Sequence, residues 1–200
     1  MNFETVLDFW FGELHEGMPD KEKQKSWFNV SEFFDGQVKK NFTSTLLAGS
    51  KGQLDPWELT PRGRLAFVIV LDQFPRHIFR GTANAFLYDE KALSLARDGV
   101  EFGHDRELRP VEKLFFYMPF QHSENLAIQQ EGLALYRQTV AEAKTPEQKK
   151  LCEECLAYAE RHCQLIQRFG RFPHRNKALG RQSTPQEESY LVNGGARFGQ

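Results

Sequence analysis

Two short segments of the chain gather arginine and histidine around a Phe-Pro pair. Residues 71–81 place Arg76 and Arg80 near Asp72, and residues 168–181 carry five cations without any acid. Because a planar guanidinium donates hydrogen bonds in pairs, clustered arginine favours a partner that bears a carboxylate or a phosphate. The candidate ligand-binding residues are Asp72, Arg76, Arg80, Arg168, Arg171, Arg175 and Arg181.

Three further side chains could transfer protons beside these arginines. His122 and Glu124 lie in residues 119–124, and His174 belongs to the second basic segment. We predict that His122 or His174 is an acid–base group, oriented by Glu124 or Asp72. If Ser123 caps a helix, His122 lies just before an N-terminus, where backbone amides attract anions. The alternative is that His122 is an ordinary loop residue and Glu124 only favours the first helical turn.

The arginines also have a purely structural interpretation. Asp72 and Arg76 are spaced to pair with each other, and the second segment could bind acids elsewhere in the chain. Buried arginine needs either an acidic partner or a bound anion, so both alternatives stay open for the second segment. If both segments form one site, we expect a guanidinium of the first within about 10 Å of one in the second.

The cysteines resemble half of a zinc site but are predicted to be structural. Cys152 and Cys155 lie in one predicted helix, where His162 is about 15 Å from Cys152 along the axis. No second cysteine pair exists, and free cysteine is usually buried. We expect buried, unpaired thiols at Cys155 and Cys163, and we predict no metal and no cofactor.

Frequent helix signals and few strand signals predict an all-α protein. We expect about eight helices in stacked antiparallel pairs, forming one domain over residues 1–200 with a flexible tail at 193–200. Thr60, Ser123, Thr145 and Thr184 are the predicted N-caps. Pro75 is predicted to end the helix that follows Thr60, and residues 65–71 form its buried segment. Residues 85–102 are predicted as one helix, or as two helices that break near Tyr88.

Composition argues against several classes of partner. The net charge is −1, with 40% hydrophobic and 26% charged residues, which is typical of a soluble globular protein. This charge gives no reason to expect nucleic acid or an anionic membrane as a partner. An odd number of cysteines, three, and an N-terminus without signal-peptide features predict a cytoplasmic protein. The oligomeric state is left open.

Three motifs in order resemble one bacterial family, called domain of unknown function 924. They are Leu-Asp-Gln-Phe-Pro-Arg from residue 71, Pro-Phe-Gln-His-Ser-Glu from residue 119 and Arg-Phe-Gly-Arg-Phe-Pro-His-Arg-Asn from residue 168. The resemblance covers essentially the whole chain. It implies an all-α fold similar to tetratricopeptide repeats and no established activity. The chain departs from the family pattern at His77, where Asn is usual, and at Gln121, where Glu is usual. The second change removes a carboxylate beside His122 and argues against a metal there.

Two functions from different classes fit these observations. The first is a concave pocket that binds an anionic small molecule, with or without enzymatic histidine acid–base chemistry. The second is a tetratricopeptide-like scaffold that binds an acidic peptide without catalysis. A closed pocket lined by Arg and His favours the small molecule, whereas an open groove favours the peptide.

Overall fold

Helices make up the regular structure of the chain. The computed structural model describes residues 2–199, and this part contains no β-strand beyond a single bridge between His15 and Met18. The all-α fold predicted from the sequence is confirmed. The α-helices are α1 (Glu4–Phe11), α2 (Lys21–Phe28), α3 (Glu32–Ser50), α4 (Pro61–Asp72), α5 (Phe74–Ile78), α6 (Asp89–Glu101), α7 (Pro110–Phe116), α8 (Met118–His122), α9 (Leu126–Glu142), α10 (Pro146–Phe169) and α11 (Pro185–Val192).

The described part has more helices than the eight expected, because proline restarts a helix as well as ending one. Helix α4 ends at Asp72, three residues before Pro75, and Pro75 then occupies the first turn of α5. Pro119 has the same place in α8. Proline fits a first turn because its missing N–H would be unpaired there anyway. Residues 85–102 do not form one continuous helix. The chain breaks near Tyr88, which is the second of the two predictions, and α6 begins only at Asp89.

Side-chain caps fix most helix starts where the sequence predicts them. Thr60, Thr145 and Thr184 each accept a hydrogen bond from the backbone N–H three residues later. The predicted cap of α9 is wrong, because Asn125 rather than Ser123 accepts from the N–H groups of the first turn. His122 is the last residue of α8. The backbone N–H groups that we expected to attract an anion already donate to the side chain of Asn125.

Helix α4 is the centre of the core. Residues 65–71 are completely buried, as predicted, and helices α1, α3, α6 and α7 pack around them. The buried hydrophobic side chains form one continuous cluster, whose members range along the chain from Val6 to Cys163. Asp72 is the last residue of this central helix, so the fold places its carboxylate at the boundary of the apolar interior.

Helix α8 is held tightly against α9. A Cβ at Gly132 of α9 would lie only 2.6 Å from Cβ of Phe120 in α8, so only glycine permits this approach. A three-residue connection joins α9 to α10, which makes them neighbouring antiparallel helices. Within residues 2–199, no helix is both long enough and apolar enough to span a bilayer. The resemblance to tetratricopeptide repeats, the single domain and the flexible tail stay predictions.

Candidate functional site

A buried carboxylate orients a histidine where α4 meets α8. Asp72 has no solvent exposure, and its Oδ1 lies 2.7 Å from Nδ1 of His122. The side-chain amide of Gln73 donates to Oδ2, and a guanidinium nitrogen of Arg76 lies 3.4 Å from Oδ1. An ionised carboxylate can only accept, so Nδ1 of His122 carries the hydrogen and Nε2 is left with a free lone pair.

The surroundings of this pair set its charges. Burial raises the pKa of Asp72, but Arg76 and His122 outweigh burial and hold that pKa below its usual value. Burial lowers the pKa of His122, and Arg76 lowers it further, while Asp72 offsets only part of the effect. At neutral pH the pair is therefore an ionised carboxylate beside a neutral imidazole, which is the protonation state of a general base.

Asp89 joins the two basic segments. Its Oδ2 accepts from Arg76 Nη2 at 3.0 Å and from Arg175 Nη1 at 3.2 Å. These nitrogens lie no more than about 6 Å apart, so the two segments meet as expected. The Arg175 guanidinium lies 4.5 Å from the ring centroid of Phe86 and 4.6 Å from that of Phe172. Burial lowers the pKa of Arg175 to about 10.

A second histidine–carboxylate pair lies in the same region. His77 Nδ1 is 2.7 Å from Asp35 Oδ1, and Arg80 donates to both oxygens of Asp35, at 2.7 and 2.8 Å. The remaining guanidinium nitrogen of Arg80 donates to the backbone carbonyl of Gly199. Burial lowers the pKa of His77, and Asp35 offsets this in part.

The histidines of both pairs line one small cavity, which we call the polar cavity. Its volume is about 70 Å³, enough for a few water molecules or one carboxylate group. Within residues 2–199, Nε2 of His77 and Nε2 of His122 form no hydrogen bond, so each is free to exchange a proton with a molecule in the cavity. The polar residues of its lining are Asn29, Gln73, Arg76, His77, Arg80, Gln121 and His122.

Two further histidines surround this region. The ring of His162 lies 5.9 Å from that of His122 and stacks on Phe198 at 3.6 Å. Burial, with a smaller contribution from His122, holds the pKa of His162 well below its usual value. His174 does not line the polar cavity. Its Nδ1 is buried without a partner in the described part of the chain, and burial lowers its pKa to about 3.

Several predicted site residues lie outside the polar cavity and form ion pairs instead. Arg181 donates to both oxygens of Glu124, at 2.6 and 3.0 Å, and the Phe172 N–H also donates to Glu124. Arg171 donates to both oxygens of Glu187, at 2.6 and 2.8 Å. For Arg171 and Arg181 the internal ion-pair alternative is therefore the one observed. Glu124 does not orient His122, because Asp72 does.

Arg168 is likewise outside the cavity. Its guanidinium lies 4.7 Å from the ring centroid of Phe169 and 5.7 Å from that of Tyr190, at the exposed end of α10. Cations at a helix C-terminus are stabilised by the helix dipole, which accounts for Arg168 without a ligand.

Sequence reasoning missed the carboxylates that complete the site. Asp35 and Asp89 lie in the first turns of α3 and α6, where acidic residues are common and carry no special signal. His77 stood within the first basic segment but was not selected. The sequence did contain a reason to select His77, because it is one of the two positions that depart from the family pattern.

The thiols and possible metal ligands have no place in this site. Cys152, Cys155 and Cys163 are buried and unpaired, as predicted, and burial raises their pKa values. Across residues 2–199, no group of three or more His, Cys, Asp or Glu side chains is arranged to hold a metal ion.

Comparison with known proteins gives a family and a related structure. The model of a family described as "bacterial protein of unknown function (DUF924)" matches residues 6–195. A solved structure, a protein of unknown function called ATU0120 from Agrobacterium tumefaciens, has a TM-score of 0.81 and 33% sequence identity, covering 96% of this chain and 97% of that chain. No curated protein matches. The resemblance inferred from the three motifs is confirmed.

Proposed function

This chain belongs to the DUF924 family, whose description names no activity, and from the site alone we propose that it is an enzyme with His122 as general base. The observation that carries the proposal is the contact between buried Asp72 and His122 at the wall of the polar cavity. We propose an anionic small molecule, bearing a carboxylate or a phosphate, as its substrate. We propose that the protein uses no cofactor and binds neither nucleic acid nor membrane. We also propose a cytoplasmic location.

The proposed chemistry follows from the two nitrogens of His122. Nε2 takes a proton from the substrate or from a water molecule, while Asp72 holds Nδ1–H and stabilises the imidazolium that forms. Asp72 does not need to move or to become protonated, because Arg76 keeps it ionised. His77, held in the same way by Asp35, is the proposed second proton-transfer group on the cavity wall.

Arg80 is the proposed contact for the anionic group of the substrate. Two of its nitrogens are fixed by Asp35, so the guanidinium is held in one orientation. Its third nitrogen donates only to the carbonyl of Gly199, and a substrate oxygen would replace that carbonyl. Arg76 supplies further positive charge at the cavity wall, although Asp72 and Asp89 already accept its hydrogen bonds.

The shape of the cavity favours a small molecule over the scaffold alternative. An acidic peptide needs an extended open groove, whereas the polar cavity is small and bounded by several separate elements. Shape is the feature that distinguishes the two functions, and a small cavity lined by Arg and His fits the first better than the second. We therefore propose no peptide partner.

The test is a turnover screen with matched histidine variants. The wild-type protein, His122→Asn and His15→Asn would be assayed against carboxylate and phosphate esters and carboxylic acids. His15 is exposed and lies outside the cavity, so its replacement is the control. Loss of a general base should reduce turnover about 10²- to 10⁴-fold in His122→Asn only. Equal turnover in all three proteins, or none in the wild type, would contradict the proposal.

A further inference from the structure

An apolar space adjoins the polar cavity. We call it the apolar arm, and its volume is about 180 Å³. Phe28, Met118, Gln121 and Tyr158 line both spaces, so the two are neighbours with these four side chains at their junction. The residues found only in the arm are Tyr136, Leu151, Glu154, Cys155 and Arg161. Apart from Gln121, Glu154 and Arg161, its walls are aromatic, aliphatic, thioether or thiol groups.

We infer that the ligand is amphipathic, with its anionic head group in the polar cavity and one aromatic ring or a short alkyl chain in the apolar arm. This inference rests on the proposed function for the head group and adds the chemical class of the rest of the molecule. Ligand pockets commonly combine a few fixed polar groups with a larger apolar surface, as these two spaces do.

The size of the arm limits the apolar part. An engineered apolar cavity of about 150 Å³ binds one benzene molecule. The arm, at about 180 Å³, therefore has room for one ring or a chain of similar volume. The polar cavity is too small for a nucleotide, so the bulk of the ligand must lie in the arm.

Phe28 shows that the junction is incompletely covered. Its side chain lines both spaces and remains 46% exposed, although its ring stacks nearly parallel to that of Phe115. A ligand that extends from one space into the other would cover this ring and remove apolar surface from water. Glu154 and Arg161 are exposed and mark the outer end of the arm, where the chain would reach solvent.

The test measures the binding of a series of carboxylates with apolar parts of increasing size by isothermal titration calorimetry. The probes are acetate, butanoate, hexanoate, octanoate and phenylpropanoate, with hexan-1-ol as the uncharged control. Burial of one methylene contributes about 0.8 kcal/mol, so the dissociation constant should fall by up to about fourfold per methylene until the arm is full.

Two variants should move the length at which affinity stops rising. Cys155→Leu fills part of the arm and should move the plateau to shorter chains, whereas Leu151→Ala enlarges the arm and should move it to longer ones. Leu156→Ala is the matched control, because Leu156 lies on the same helix but does not line the arm. Circular dichroism and melting curves would establish that each variant folds.

The outcomes separate this inference from the proposed function. Affinity that rises with length, with a plateau that moves in both variants, supports the inference. Binding of acetate that does not improve with length overturns it and leaves the proposed head-group site intact. Hexan-1-ol binding as tightly as hexanoate supports the arm but contradicts the anionic head group, and no binding by any probe overturns both.

Discussion

Buried histidines are the residues that most distinguish this protein from an ordinary helical fold. Burial lowers the pKa of each of His77, His122, His162 and His174. All four lie near one another and near arginines, so protonation of any of them is opposed by neighbouring positive charge. The region is therefore built to keep imidazole neutral, which general-base chemistry needs.

These histidines predict a pH-dependent stability. The unfolded chain takes up protons at its histidines below pH 6.5, whereas the native state does not until their lowered pKa values are reached. Stability should therefore fall as pH drops from about 6.5 to about 4.5, and each histidine whose native pKa lies well below this range, as that of His174 does, contributes about 1.4 kcal/mol per pH unit. Urea unfolding at a series of pH values measures this slope.

A variant assigns part of the slope to one residue. His174→Leu should make the slope shallower by about 1.4 kcal/mol per pH unit, since the pKa of His174 is lowered to about 3. The variant also removes a buried nitrogen without a partner, so it should not reduce stability at pH 7. An unchanged slope would show that His174 titrates normally in the native protein. The exposed His15→Asn controls for the loss of a histidine.

Arg175 is predicted to be a structural requirement. Its guanidinium is buried between two rings and bound to Asp89, so truncation removes the packing on Phe86 and Phe172 and one of the two cations that Asp89 contacts. Arg175→Ala should lower the free energy of unfolding by about 2–5 kcal/mol, the usual cost of truncating a large buried side chain. Arg168→Ala, at an exposed site without an acidic partner in the described residues, should cost far less. Equal losses measured by urea unfolding would contradict this assignment.

At the scale of elements, the two five-residue helices position the site. Helix α5 carries Arg76 and His77, and α8 carries His122, and each begins with a residue followed by proline. The sequence identified both segments as candidate parts of a site. It did not predict that each restarts as a helix, because proline signals the end of one helix and the first turn of another equally well.

The cap of α9 offers a direct test of these helix boundaries. Asn125→Ala removes the acceptor for the N–H groups of Ala127 and Ile128 and should cost about 1 kcal/mol. Ser123→Ala removes an exposed hydroxyl that accepts only the N–H of Asn125, and it should cost less. Thermal unfolding of both variants measures the difference. A larger loss of stability for Ser123→Ala would show that Ser123 is the N-cap, as the sequence predicted.

The pairing of charges between elements could not be predicted from the sequence. Asp35 of α3 binds Arg80, and Asp89 of α6 binds Arg76 and Arg175, across separations of 13 to 86 residues. Local spacing reports only neighbours three or four residues apart, such as Asp72 and Arg76. The arginines and His122 of the candidate site were therefore recognisable, but the partner of each charge depended on the tertiary fold.

At the scale of the whole molecule, one continuous core encloses the thiols. Cys152 and Cys155 lie within it, and burial raises the pKa of Cys152 to about 11. The thiolate is the reactive form and the pKa values of all three thiols are raised, so native protein should react only slowly with a thiol reagent, even at Cys155, which lines the apolar arm. Labelling with dithionitrobenzoate should be slow in buffer and reach three thiols in denaturant. Rapid labelling of a native thiol would contradict this prediction, as would stoichiometric zinc in the purified protein.

The close approach at Gly132 has a consequence for how such chains diverge. Any side chain there would push Phe120 and the rest of α8 away from α9, and His122 would move with them. Residues that line the two spaces can change one at a time and alter what is bound. We therefore expect natural variation among descendants of a common ancestor to alter the lining of the cavity before it alters Gly132.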